Sequence, residues 1–126
     1  MSFLPKLPRM GLGCGGERLE VELAQARRFF ARLRGLVLAG PLGRGEGLLI
    51  APCNSIHTLW MGGPIEAVFI SKDWRVLKIT SALKPWRGLA GCRRAWGVIE
   101  WQPGQAARFG LREGAQLEGL PAREGP

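Results

Sequence analysis

Cys53, His57 and Met61 lie four residues apart in the stretch 52–71, which holds the chain's only histidine and one of its three cysteines. Thiolate, imidazole and thioether are soft or borderline ligands, the set that suits copper. A histidine near a cysteine is also the pairing that activates a thiol nucleophile. The even spacing puts all three side chains on one face of an extended strand. However, residues four apart on an ideal strand are separated by about 13 Å, too far to share a metal unless the chain bends. A small buried cysteine, a packed methionine and a hydrogen-bonded histidine satisfy the same pattern. Metal, nucleophile and packing all remain open on these residues.

Two carboxylates stand inside otherwise apolar runs, Glu66 in Ile65–Ile70 and Glu100 in Val98–Trp101. Burying a lone carboxylate is costly, so each is expected on a solvated face or paired with an arginine, for which Arg75 and Arg87 are available. General acid–base work would require the two to approach each other, and the plainer expectation is an ordinary ion pair. Gly11-Leu12-Gly13-Cys14-Gly15-Gly16 formally matches a dinucleotide-binding glycine pattern. Pro5 and Pro8 precede it and no βαβ unit follows, so it is read as a flexible turn. Gly43 to Gly47 lacks the Lys-Ser/Thr ending of a phosphate cradle.

The elements that must position these residues are short. Arg18–Leu23 alternates polar and apolar and predicts a half-buried strand. Ala24–Leu36 places Ala26, Phe29, Phe30 and Leu33 at helical spacing, with Arg27, Arg28, Arg32 and Arg34 on the other sides, and predicts an amphipathic helix. Strands are expected at Leu48–Ile50, Ser55–Met61, Ile65–Ser71, Trp74–Ala82, Ala95–Trp101 and Ala115–Leu120. A hairpin is expected at Lys72-Asp73, and a loop at Lys84–Gly88 carries Trp86 and Arg87. Pro103 to Gly110 predicts a helix of one or two turns, proline at its start and glycine at its end. Six or seven strands with one substantial helix point to an α+β domain, a small mostly antiparallel sheet curled like a barrel. The expected layout is an arm over 1–17, one domain over 18–120 and a frayed tail over 121–126.

Composition bounds the function. The chain has 126 residues, 46% of them hydrophobic, enough for one domain with its own core. Its 19 glycines and 9 prolines fall between apolar runs, as tight turns require. The net charge of +8 would attract phosphate or anionic headgroups. The arginines are scattered, however, and recognition helices, zinc spacings and RNA-binding aromatic signatures are missing, so a nucleic-acid partner ranks last. Three cysteines without a CxxC pair fit reduced thiols rather than a disulfide scaffold. No apolar run reaches membrane-span length, and the charged, proline-containing start does not resemble a signal peptide; a cytoplasmic location is expected. No cofactor, metal or oligomeric state is assigned.

The order of short motifs is similar to that of the DUF192 (UPF0127) family. The resemblance runs through Val21-Glu22-Leu23-Ala24, Arg32-x-Arg34-Gly35-Leu36, Gly47-Leu48-Leu49-Ile50, Ile56-His57-Thr58-x2-Met61 and Pro64–Ile70. It continues through Trp74–Leu77, Pro85-Trp86-Arg87, Val98-Ile99-Glu100 and Gly104-x-Ala106-x3-Gly110-Leu111-x2-Gly114, covering residues 18–119. It implies a small, mostly β, barrel-like fold and, the family being of unknown function, no activity. Many relatives are exported and some are encoded near pilus-assembly genes, which implies export as the alternative to a cytoplasmic location and a secretion- or pilus-associated setting for an accessory role. Two residues depart from the family pattern: Glu66 stands where Asp is usual, and Trp101 where Leu is usual.

With turn-forming glycines and prolines set aside, Cys53, Asn54, His57, Trp86, Arg87 and Glu100 have no evident structural task. The preferred expectation is a small binding or accessory domain with a cleft near Cys53–Met61 and the Trp86 loop, taking an unknown small or anionic ligand or a protein partner. Arg87 would hold an anionic group, Trp86 would stack on the ligand and Asn54 would bind beside them. The alternative is an enzyme drawing on Cys53, His57 and Glu100.

Overall fold

A computed structural model describes residues 7–26, 42–57, 65–83 and 89–123. In chain order the elements are β1 (Arg9–Cys14), β2 (Glu17–Ala26), β3 (Glu46–Ile50), β4 (Ser55–His57), β5 (Ile65–Ile70), β6 (Val76–Leu83), β7 (Leu89–Gly91), β8 (Gly97–Trp101), α1 (Gln105–Arg108) and β9 (Leu117–Pro121). Seven strands form one sheet in the order β6-β5-β8-β3-β2-β1-β9, and β4 and β7 pair separately. All pairings are antiparallel except β2 with β3. The large sheet curls until its outer strands meet at one end. There Arg75 bridges Gln116, the Val76 amide donates to the Ala115 carbonyl at 2.8 Å, and the Leu117 amide donates to the Trp74 carbonyl at 2.9 Å.

Strand alternation gives the sheet two apolar faces. The inner face carries Leu12, Leu23, Val68, Ile99 and Trp101, and Phe109 packs edge-on against Trp101 at 5.6 Å. The outer face carries Ala24, Leu48, Ala67, Phe69 and Val98, and Cys53 joins it from the segment after β3. Each fully buried aliphatic side chain is worth about 1.5–3 kcal/mol, so both faces stabilise the sheet. Burial on both faces explains why β3, β5 and β8 read as nearly continuous apolar runs, not as alternating ones.

The mostly β, curled architecture agrees with the expectation, whereas several boundaries move. Residues 9–14, expected in an arm, form β1 between β2 and β9. Two glycines in that strand hid it, because glycine is a poor strand former even where the flanking register is satisfied. Ala24–Ala26, expected to open the amphipathic helix, are the end of β2, where β3 pairs alongside and extends the sheet. The rest of that helix lies outside the described residues. Strand β7 was not anticipated. Among the described residues the one helix is α1, and no helix there is long and apolar enough to cross a membrane.

Candidate functional site

Glu66 and Glu100 occupy neighbouring central strands, and the register turns them to opposite faces: Glu66 is paired with Trp101, and Ala67 with Glu100. Glu66 points inward and is 2% exposed. Its Oε1 accepts hydrogen bonds from the Trp101 indole Nε1 at 2.7 Å and the Ala106 amide at 2.7 Å; its Oε2 accepts from the Ser81 hydroxyl at 3.1 Å and the Gly104 amide at 3.4 Å. Gly104, the N-cap of α1, has φ 92°, a conformation glycine adopts without penalty, and it offers no capping side chain. Glu66 therefore does from across the barrel what an N-cap side chain normally does locally. The expectation of a solvated or arginine-paired Glu66 is corrected: its partners are an indole, a hydroxyl and two backbone amides.

Glu100 points outward, is 4% exposed, and sits in a row that runs Ala24, Leu48, Glu100, Ala67, Thr80 across five strands. Its immediate register neighbours, Leu48 and Ala67, are apolar. At the end of the row, the buried Oγ1 of Thr80 has no hydrogen-bond partner among the described residues. Most buried hydroxyls are paired, so an orphan marks a place that water or another molecule fits.

Cys53 is buried in the same outer cluster, and its thiol lies 3.0 Å from the Ser55 carbonyl, which accepts a hydrogen bond from it. The Cys53 amide donates to the Trp96 carbonyl at 2.8 Å. Asn54, next in the chain, is exposed, and its carbonyl accepts from the Cys92 amide at 2.8 Å. His57 ends β4 opposite Leu89 at the start of β7. Trp86, Arg87 and Met61 lie outside the described residues. Sequence reasoning missed Thr80; an isolated hydroxyl within a run of strand formers gave no signal without the register that places it in line with Glu100.

The DUF192 family model, described as an uncharacterized ACR, matches residues 12–119. The chain belongs to the DUF192 family. No functionally curated protein matches this DUF192 domain. Two solved structures share its fold. One is a protein of unknown function from Novosphingobium aromaticivorans, 23% identical, with TM-score 0.73 and coverage of 94% of this chain and 90% of that one. The other is a candidate transcription regulator from Sinorhizobium meliloti, 21% identical, with TM-score 0.73 and coverage of 89% and 92%. At these identities the likeness shows the fold alone.

Proposed function

We propose that this DUF192 domain is a small binding or accessory domain whose site is the outer face of the sheet, centred on Glu100 and rimmed by Asn54. The reading is carried by the row itself: Glu100, 4% exposed, lies in register with the Ala67–Thr80 pair on that face. The orphan Thr80 hydroxyl at the end of the row is a second polar group turned to the same face. Arg87 and Trp86 precede Leu89, the register partner of His57, by two and three positions. In this reading Arg87 holds an anionic group and Trp86 a flat one, while Glu100 accepts a hydrogen bond.

The alternative, an enzyme using Cys53 and His57, has less support: the Cys53 thiol is buried and donates to the Ser55 carbonyl, whereas reactive thiols are partly exposed. An accessory role beside export or pilus machinery rests on the family resemblance alone. The regulator description of the Sinorhizobium protein brings no residue of this chain with it.

The test is a thermal-shift titration with inorganic phosphate, which offers only an anion, and adenosine monophosphate, which adds a flat ring and an amino donor. The expectation is a concentration-dependent rise in Tm, larger for the nucleotide and reduced in Glu100→Gln, Asn54→Ala and Arg87→Ala. If neither compound shifts Tm at about 10 mM, or the variants respond like the parent, the reading falls.

A further inference from the structure

The outer surface of the sheet has a cavity elsewhere, away from Glu100, beside an irregularity in strand pairing. Gly11 faces Glu22 and Gly13 faces Arg18 across β1 and β2, so three β2 residues, Leu19 to Val21, span the width of one β1 residue. Such a bulge bends the strand and re-aims side chains, and bulges recur beside binding sites. Beside the bulge lies a cavity of about 230 Å³ whose lining includes Gly11, Arg18, Glu20, Glu22, Gly45 and Arg123. Gly11 forms a seat: a Cβ there would lie 2.0 Å from Nη1 of Arg18, so only glycine lets the guanidinium rest on β1.

The charges in the cavity are sorted. Arg123 lies 3.7 Å from Glu20. Among the described residues neither Arg18 nor Glu22 enters an ion pair, although both line the same cavity. A bare anion drawn to Arg18 would meet Glu20 and Glu22, and a bare cation drawn to Glu22 would meet Arg18 and Arg123. A molecule carrying both charges meets neither repulsion. The volume, below the roughly 300–1,000 Å³ of sites for drug-sized ligands, suits a molecule about as large as a free amino acid.

We propose that this bulge cavity binds a small zwitterion, with the Arg18 guanidinium taking its carboxylate and the Glu22 carboxylate taking its ammonium group. Guanidinium presents a planar donor fork that matches a carboxylate, and the Glu22 oxygens accept from the ammonium N–H groups. The proposal is independent of the Glu100 face, and neither depends on the other.

The experiment is an amide NMR titration of the whole chain with L-alanine, N-acetyl-L-alanine, which lacks the cation, and L-alanine methyl ester, which lacks the anion. L-Alanine is expected to give saturable shifts around Gly11, Arg18 and Glu22 below about 20 mM, with each derivative at least about tenfold weaker. Arg18→Gln should abolish the preference for L-alanine over its ester, and Glu22→Gln the preference over the acetylated form. Gly11→Ala would push away the Arg18 guanidinium and crowd the Pro121 carbonyl at 3.2 Å, so it should weaken binding, with a smaller loss of Tm. Three probes that bind alike would reduce the site to ordinary surface charge and overturn the proposal. So would the absence of saturable shifts, or an Arg18→Gln variant that behaves like the parent.

Discussion

Two buried carboxylates on adjacent strands of one sheet have opposite fates. Glu66 faces inward and its two oxygens collect four hydrogen bonds from Trp101, Ala106, Ser81 and Gly104. Glu100 faces outward into a row of alanines and leucine that ends on the orphan hydroxyl of Thr80. The first is a structural fastener: every contact is to a group of the same barrel, and the contacts fix how α1 closes its end. The second lies on the other face, in line with the Thr80 hydroxyl, and the proposed site is centred there. A buried charge is therefore informative only when the groups around it are known. On sequence the two looked equivalent.

The largest expected effect is on the fastener. Glu66→Ala leaves the Trp101 indole N–H and the Ala106 amide buried without acceptors, each costing about 1–3 kcal/mol, so urea denaturation should show a loss of about 3 kcal/mol or more. Glu66→Gln keeps acceptor capacity but turns an amide NH2 toward other donors, and should lose about half as much. A Glu66→Ala protein within about 0.5 kcal/mol of the parent would erase the contrast between the two carboxylates.

Next comes the outer face. Glu100→Gln should reduce the ligand-induced Tm shift, whereas Glu66→Gln should leave it in place. A Glu100→Gln protein whose Tm shift matches the parent's would remove the proposed site from the outer face. Thr80→Val replaces an unpaired buried hydroxyl with a methyl of similar shape and should raise stability by about 1 kcal/mol. A destabilised Thr80→Val protein would mean that the hydroxyl is satisfied in solution.

The smallest effect lies at the exposed turn before β6, far from both carboxylates. The Ser71 hydroxyl donates to the Asp73 carboxylate and, with Arg75 nearby, holds its pKa below the usual value. A carboxyl whose pKa is lower folded than unfolded adds stability above its unfolded pKa, and that increment disappears as pH falls through the folded value. Ser71→Ala should raise the Asp73 pKa in an NMR titration and flatten the stability profile below about pH 4, without touching either carboxylate site. An unchanged Asp73 titration would show that the hydroxyl does not set it.

Much of the sheet was legible because Ile65–Ile70 and Gly97–Trp101 are dense in β-branched and aromatic residues. Strand β1 was not legible, since Gly11 and Gly13 remove the outward half of its alternation. The extension of β2 through Ala26 was masked by a helical period that begins inside it, and pairing with β3 overrode that local preference. For the site, Cys53 and Glu100 stand out for their chemistry, but the row that lines Glu100 up with Thr80 depends on a register that no single strand encodes. The part played by Glu66 was misjudged for a physical reason. Its donors come from residues 15 to 40 positions away, three of them on segments whose own patterns speak only of a strand end and a short helix.

The pairing of the first strand with the last also dictates when this domain can be assembled. Met10 sits opposite Pro121 and Cys14 opposite Leu117, contacts that span more than 100 positions of chain. Such closure carries a large entropic cost before any contact repays it, so folding is expected to be slow for a domain of this size. On the ribosome, β1 emerges early and must wait, with one edge unpaired, until the end of the barrel has been synthesised. That waiting edge is where the nascent chain is most open to pairing with another copy, and where a chaperone would be of most use.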